Sequence, residues 1–571
     1  MNAERLLQHY EQIADAPDAI ARLRRFILDL AVRGKLVPQD PADEPASELL
    51  KRIESGRRQA GAKQGTEAGG EVRPFDLPKG WVWSTIGSVC SKTGSGSTPR
   101  GGKEVYVDSG VPFLRSQNVY DDGLRLSDVA YIAPEVHARM AGTAVKPSDL
   151  LLNITGGSMG RCSLVPDSFG EANISQHVAI IRPVLTDMSG FMHRLVLSPY
   201  FQAFIFDEQT GAGRGGLPKN RMDQIAVALP PLAEQHRIVA KVDELMALCD
   251  ELAAARTERE TKRDRLAAAG LARLNTPDPE TFRDDARFAL DALPALTARP
   301  DQIKQLRQTI LNLAVRGKLV PQDPADEPAE ELLKRVQLSK QRSRKPTIKI
   351  DPRNTEYELP ATWVWASLEQ LVVFGPQNGI SPRPTNREDA PKAITLTATT
   401  SGKFSSAYFK RVEGKFPPES DFWLSEGDLL FQRGNTPEYV GMAAVYEGPP
   451  QTFLFPDLII KVRVSGDVDL SYVHLASISP SGRRYLIENA SGAQATMPKI
   501  NQTTLLSLPI PLPPLAEQHR IVAKVDELMA LCDQLETSLT SADETRKKLL
   551  DALLAEALKP VDADALQEAA E

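Results

Sequence analysis

The chain is poor in the residues that support covalent or metal chemistry. Four cysteines in 571 residues build no disulfide framework, and none stands in a CxxC pair that would hold zinc. No stretch approaches the roughly 20 apolar residues of a membrane helix. The opening residues MNAERLLQHYEQ are too charged for a secretory signal, so the expected compartment is the cytoplasm. There is no basic excess either: 68 Lys and Arg stand against 75 Asp and Glu, a net charge of −7. Bulk charge therefore cannot draw the protein to nucleic acid, although local clusters of Lys and Arg can. No GxxxxGK(S/T) phosphate loop and no NPP(Y/F) or DPPY methyl-transfer tetrad occurs. Gly211 to Gly216 spell GxGxxG, but no strand signal precedes them, and Pro218 follows where a dinucleotide-binding helix would start. Glu413-Gly-Lys415 has the spacing of half a nuclease site but no partner aspartate. His236 and His519 recur in EQHR with no nucleophile or second ligand nearby, which favours helix-start packing or a subunit contact. An enzyme working alone, methyltransferase or nuclease, is disfavoured.

What the chain has is repetition. Residues 229–250, LPPLAEQHRIVAKVDELMALCD, return letter for letter as 512–533, and LAVRGKLVPQDPADEPA at 30–46 returns at 313–329. Both offsets are 283, from 512 − 229 and from 313 − 30. A period of that length excludes a solenoid, whose units run about 20–50 residues, and points to a duplicated domain with pseudo-twofold symmetry. Between the copies, 84–228 and 366–511 are similar in length but share little sequence. Two constant frames thus hold two divergent inserts, the layout of a spacer carrying two different readers. The order is also cyclic. The second PPLAEQ segment has no VRGKLV after it; its partner lies at 32–37, so residues 1–53 are expected to pack against 513–571.

Periodicity fills in the frame. Ile521, Val525, Leu528, Cys532, Leu535 and Leu539 step alternately by four and three, an a/d seam that needs a partner helix. This helix is expected to reach about Leu558. Its first copy, with Ile238, Val242, Leu245, Cys249 and Leu252, turns polar at RTERETKRDR and is expected to fray there. The stripes Leu23, Ile27, Leu30 and Leu306, Ile310, Leu313 mark short helices expected to pack on the long ones. Residues 54–76 and 337–356 read as linkers. Matched lead-ins, LPKGWVW at 77–83 and LPATWVW at 359–365, open runs of short β-rich segments at turn spacing. The expected fold class is α+β, with compact mixed domains at 77–229 and 357–512 and helical regions at 230–336 and 513–571.

Each insert carries loops dense in side chains that read base edges or grip phosphate. Arginine donates bidentately to guanine, and Asn or Gln to adenine. In the first insert the candidates are Arg115, Ser116, Gln117 and Asn118; Asn153, Thr155 and Arg161; Gln176 and His177; and Arg214, Lys219 and Arg221. The second insert echoes that order with Gln377, Asn378 and Arg383; Thr397 and Thr399; Arg433, Asn435 and Thr436; and Lys499 and Asn501. Any one such loop reads equally as a polar turn satisfying itself. Four in the same order in two divergent inserts favour contact with DNA over a scaffold that bridges two other partners.

The repeated LAVRGKLVPQDP segment, the PPLAEQHRIVAKVDELMALCD helix and the paired tryptophan lead-ins closely resemble the specificity (S) subunit of type I restriction–modification enzymes. The resemblance spans nearly the whole chain. It implies two target-recognition domains, each reading half of a split double-stranded DNA site, separated by long antiparallel helical spacers that dock two methyltransferase (M) subunits. It implies no cofactor on this chain: S-adenosylmethionine would belong to the M subunits, and ATP and magnesium to restriction (R) subunits. The S subunit would itself catalyse nothing.

Overall fold

The computed structural model describes residues 15–59, 75–207, 216–276, 278, 280–339, 348–351, 355–492 and 497–558. The chain divides into two units, 1–258 with 543–571, and 259–542. Each carries two short helices, an insert and the start of a long helix, in that order. No described helix is long and apolar enough to cross a membrane.

In the first unit the frame consists of helices Ala19–Val32 and Ala46–Gln59 and the first part of the long helix Leu232–Asn275. The seam residues Ile238, Val242 and Cys249 find their partner within the chain, packing with Ile27, Leu28 and Ala31. In the second unit Ile521, Val525 and Cys532 pack likewise with Ile303, Ile310 and Ala314 of helix Pro300–Val315. The cyclic order is realised inside the first unit. Ala16 and Ala19 pack on Leu550, Phe26 and Leu30 on Leu554 and Leu558, and Arg22 pairs with Asp551 at 2.6 Å.

Two expectations are corrected. The first long helix does not fray after Leu252; it continues to Asn275, 44 residues in all, as does its copy Leu515–Leu558. Its polar stretch is held by ion pairs, Glu260 to Arg263 and Arg299, and its end by Ala267, Leu271 and Leu274 packing on Ala289 and Leu296. Helix Ala46–Gln59 also runs into the span read as a linker, because Ile53 is fully buried against the insert. Residues 60–74 lie outside the described residues.

Each insert is closed at its root by its own ends. Strand Val82–Thr85 pairs antiparallel with Ala226–Leu229, and Val364–Ser367 with Pro509–Leu512. The tryptophan after each LP lead-in locks this root to the long helix. Trp81 Nε1 donates to Glu234 Oε2 at 3.0 Å, and Trp363 Nε1 to Glu517 Oε2 at 2.9 Å. Gln39 and Gln322, from the repeated PQDP segments, donate to the other oxygens of the same carboxylates. Burial pushes both carboxyls above the usual range.

The central sheet of the first insert has the order Cys90–Ser95, Val178–Pro183, Leu150–Asn153, Cys162–Leu164. That of the second is Val372–Asn378, Ile459–Val464, Asp428–Gln432, Ala443–Tyr446. The middle strands are mostly apolar because both faces are covered, with Arg182, Asn153, Lys461, Arg463, Asp428 and Gln432 as their polar members. Leu150, Leu152, Ala179 and Ile181 face one core, while Leu151, Val178 and Ile180 face another, the period-two alternation of a strand. A histidine, buried at His193 and half-buried at His474, ties a helix to each sheet edge. His193 Nε2 donates to the Cys162 carbonyl at 2.9 Å, and His474 Nε2 to that of Ala443 at 3.1 Å. Burial lowers both pKa values, His193 to about 4.

Candidate nucleic-acid interface

The loops at one end of each central sheet are stitched together by the same bonds. In the first insert the Ile154 N–H donates to the His177 carbonyl, and the Leu217 N–H to the Ile154 carbonyl. In the second the Arg433 N–H donates to the Leu458 carbonyl, and the Ile500 N–H to the Arg433 carbonyl. A further loop joins this rim through a buried amide at the strand end. Asn153 Nδ2 donates to the Ser116 carbonyl at 2.8 Å and to Ser158 Oγ at 3.1 Å. Gln432 Nε2 donates to the Leu396 carbonyl and to Thr399 Oγ1, both at 3.0 Å. Ser116 and Leu396 are each the second residue after a strand, Val111–Leu114 and Lys392–Ile394. Both inserts therefore hold the loop after that strand with a buried amide, though one uses Asn and the other Gln.

This geometry corrects several sequence assignments. Asn118 is buried, accepting from the Arg115 N–H at 2.9 Å and donating to the Arg125 carbonyl at 2.9 Å. Asn153 and Thr399 are fully buried. Asn435 is half-buried and donates to Gln432 Oε1 at 2.6 Å. Asn501 spends its side chain capping helix Gln502–Leu506. Lys219 is neutralised by Asp223 and donates to Thr93 Oγ1. Asn118, Asn153, Thr399 and Asn435 thus hold loops from within, whereas Lys219 and Asn501 make their bonds while exposed. The sequence could not separate the two roles, because short polar side chains serve turns and ligands alike.

The others remain at the surface or its edge. Gln117, Gln176, His177, Arg221, Arg383, Thr397, Thr436 and Lys499 are exposed; Arg115, Ser116, Thr155, Arg161, Gln377, Asn378 and Arg433 are half-buried. Arg115 donates to the Asp128 carbonyl at 3.3 Å while its Nε is buried with no partner among the described residues. Gln117 donates to Asp128 Oδ2 at 2.5 Å, and Thr155 Oγ1 bonds His177 Nδ1 at 2.7 Å. Arg161 lies over the Tyr120 ring, 4.7 Å from its centroid. Arg214 lies outside the described residues. The rim thus presents donors and cations in each insert, held from below by amides, with different side chains at equivalent places. Sequence reading missed one feature here, a Gly-x-(Ser/Thr)-Pro-Arg string at 96–100 and at 379–383. Its signal was available, since 379 − 96 is again 283.

The family described as type I restriction modification DNA specificity domain matches residues 78–260 and 386–542. The chain is similar to the type I restriction enzyme EcoEI specificity subunit of Escherichia coli, 30% identical over 568 residues and 94% of each chain. It is 29% identical to the EcoAI specificity subunit of the same organism, over 94% of this chain and 93% of that one. Among solved structures, the HsdS subunit from Thermoanaerobacter tengcongensis aligns over 85% of this chain and 98% of that one, with a TM-score of 0.43 and 18% identity.

Proposed function

The chain belongs to the type I restriction–modification DNA specificity family, and from that premise we propose that it reads a bipartite double-stranded DNA target, one half with each insert. The observation that carries this reading is the duplicated rim. Equivalent bonds hold equivalent loops in both inserts, while the side chains those loops present differ, as two half-sites of different sequence require. Arg115 and Gln117 in one rim and Thr397 and Arg433 in the other are suited to base edges or to backbone, by their place on the rim loops and their donor chemistry.

The repeated frame is the scaffold in this proposal. Leu248 and Leu531 are the same residue of the two helix copies, and each is 47% exposed. Two equivalent exposed apolar side chains on the two helix copies suit two copies of one partner, the M subunit. R subunits would join through that complex. Methyl transfer and cleavage belong to those partners, and this chain acts in the cytoplasm as their non-catalytic guide.

Exchange of residues 77–229 for the matching insert of a relative tests the central claim. Mapping of methylated adenines in cells that carry the M partner should show one half of the target changed, with the other half and the gap kept. A change in both halves at once would refute the two-reader proposal. Within one insert, Arg115→Ala should cost about 1–3 kcal/mol and relax one base position if Arg115 reads a guanine edge.

A further inference from the structure

The inserts diverge almost everywhere, yet both keep Gly-x-(Ser/Thr)-Pro-Arg: Gly96-Ser97-Thr98-Pro99-Arg100 and Gly379-Ile380-Ser381-Pro382-Arg383. The two strings are structural equivalents. Gly96 donates its N–H to the Val178 carbonyl at 2.9 Å, and Gly379 donates to that of Ile459 at 3.2 Å; both acceptors begin the same central strand. Neither position tolerates a side chain. A Cβ on Gly96 would stand 2.0 Å from the Ile174 carbonyl oxygen, and one on Gly379 would stand 2.1 Å from that of Phe455. The glycine thus roots the turn directly against the loop that carries Gln176 and His177, or Asp457 in the second insert. Two residues on from the glycine, Thr98 and Ser381 are exposed, and Ser381 Oγ bonds Asp457. The proline that follows fixes its own φ, so the arginine leaves a stiff turn.

Arg100 and Arg383 are exposed, and neither side chain has an acidic partner among the described residues. Three other exposed cations of the inserts are neutralised at home, Arg125 by Asp122, Arg387 by Asp389 and Lys219 by Asp223, whereas Lys499, like Arg100 and Arg383, has no acidic partner among the described residues. Two readers of different half-sites need different base contacts, but the sugar–phosphate backbone is the same beneath both. An element kept in both while its neighbours change is therefore suited to the part of DNA that carries no sequence. We propose that this duplicated turn is the phosphate-binding element shared by the two readers, with Arg100 and Arg383 each holding one backbone phosphate. The inference rests on the DNA-reading function proposed above and adds how the readers seat themselves independently of sequence.

The test uses the full chain in complex with its M partner, with Arg100→Ala, Arg383→Ala, the double variant and Arg100→Lys. Binding to target and scrambled duplexes is measured across a salt series. Each alanine should lower affinity for both duplexes by the same factor and reduce the slope of log K against log salt by about one; the double variant should reduce it by about two. Arg100→Lys should recover most of the slope, and the methylated sequence should be unchanged in every variant. A loss confined to the target duplex, an altered methylated sequence, or an unchanged slope overturns the inference. If the unsubstituted complex itself fails to prefer its target, the proposed function falls, and this inference with it; if it does prefer the target but the variants bind as it does, only this inference falls.

Discussion

Substitution of Asn153 examines the link between fold and recognition most directly. Its amide is fully buried and supplies two hydrogen bonds, to the Ser116 carbonyl at 2.8 Å and to Ser158 Oγ at 3.1 Å. At about 1 kcal/mol net for each, Asn153→Ala should cost about 2 kcal/mol of unfolding free energy. Asn153→Asp keeps the shape but replaces the donor with an acceptor. It either places a carboxylate against the Ser116 carbonyl in a fully buried site or has to bind a proton there, and it should cost clearly more than alanine. Denaturant unfolding of the full chain gives both values. Because the freed loop carries Arg115 and Gln117, both variants should also relax only the half-target read by the first insert, as seen in the map of methylated adenines. Gln432→Ala should do the same for the other half. The reasoning is refuted if Asp is as mild as Ala, since the amide nitrogen would then not face the carbonyl. It is equally refuted if stability falls while both half-targets stay sharp.

Three further outcomes are expected. His193 has its pKa pulled from 6.5 to about 4 by burial, so its contribution is fully present above pH 6.5 and is lost as pH falls through that window, by at most about 3 kcal/mol; unfolding of His193→Gln should show a shallower acid dependence between pH 6.5 and 4, and an identical one would contradict the assignment. Trp81→Phe and Trp363→Phe each remove a donor to a buried carboxyl and part of a packed indole, and should destabilise by about 3 kcal/mol in near-equal measure; calorimetry showing one loss far larger would mean the two roots are not equivalent. Leu248→Asp and Leu531→Asp, at positions 47% exposed, should leave the melting temperature of the chain within a few degrees but weaken assembly with the M subunit, as followed by sedimentation; a collapse in melting temperature would instead make these leucines part of the core.

Much of the frame was legible because its signals are local or repeated. The offset of 283, the four–three spacing from Ile521 to Leu539, and the stripes at Leu23 and Leu306 gave the duplication, the long helices and their short partners. The reach of the first long helix was not legible. The RTERETKRDR stretch looks solvated along the sequence, and what holds it, Arg299 on Glu260 and Leu271 on Leu296, comes from residues 20 or more positions away. The candidate site divides the same way. Sequence could say which loops hold Arg, Asn and Gln, since residue type is written in it. It could not say which of those side chains face outward, because burial depends on what the fold brings alongside. Asn118 and Asn153 carry the same amide as Gln117, yet they turn inward to carbonyls of Arg125 and Ser116 and leave Gln117 outside. By itself, then, the sequence determined a duplicated frame and a family of polar loops, because periodicity and repetition are properties of the string. Only the tertiary structure decided which polar groups hold a loop and which remain to be offered, because a hydrogen bond across 37 residues is a property of space.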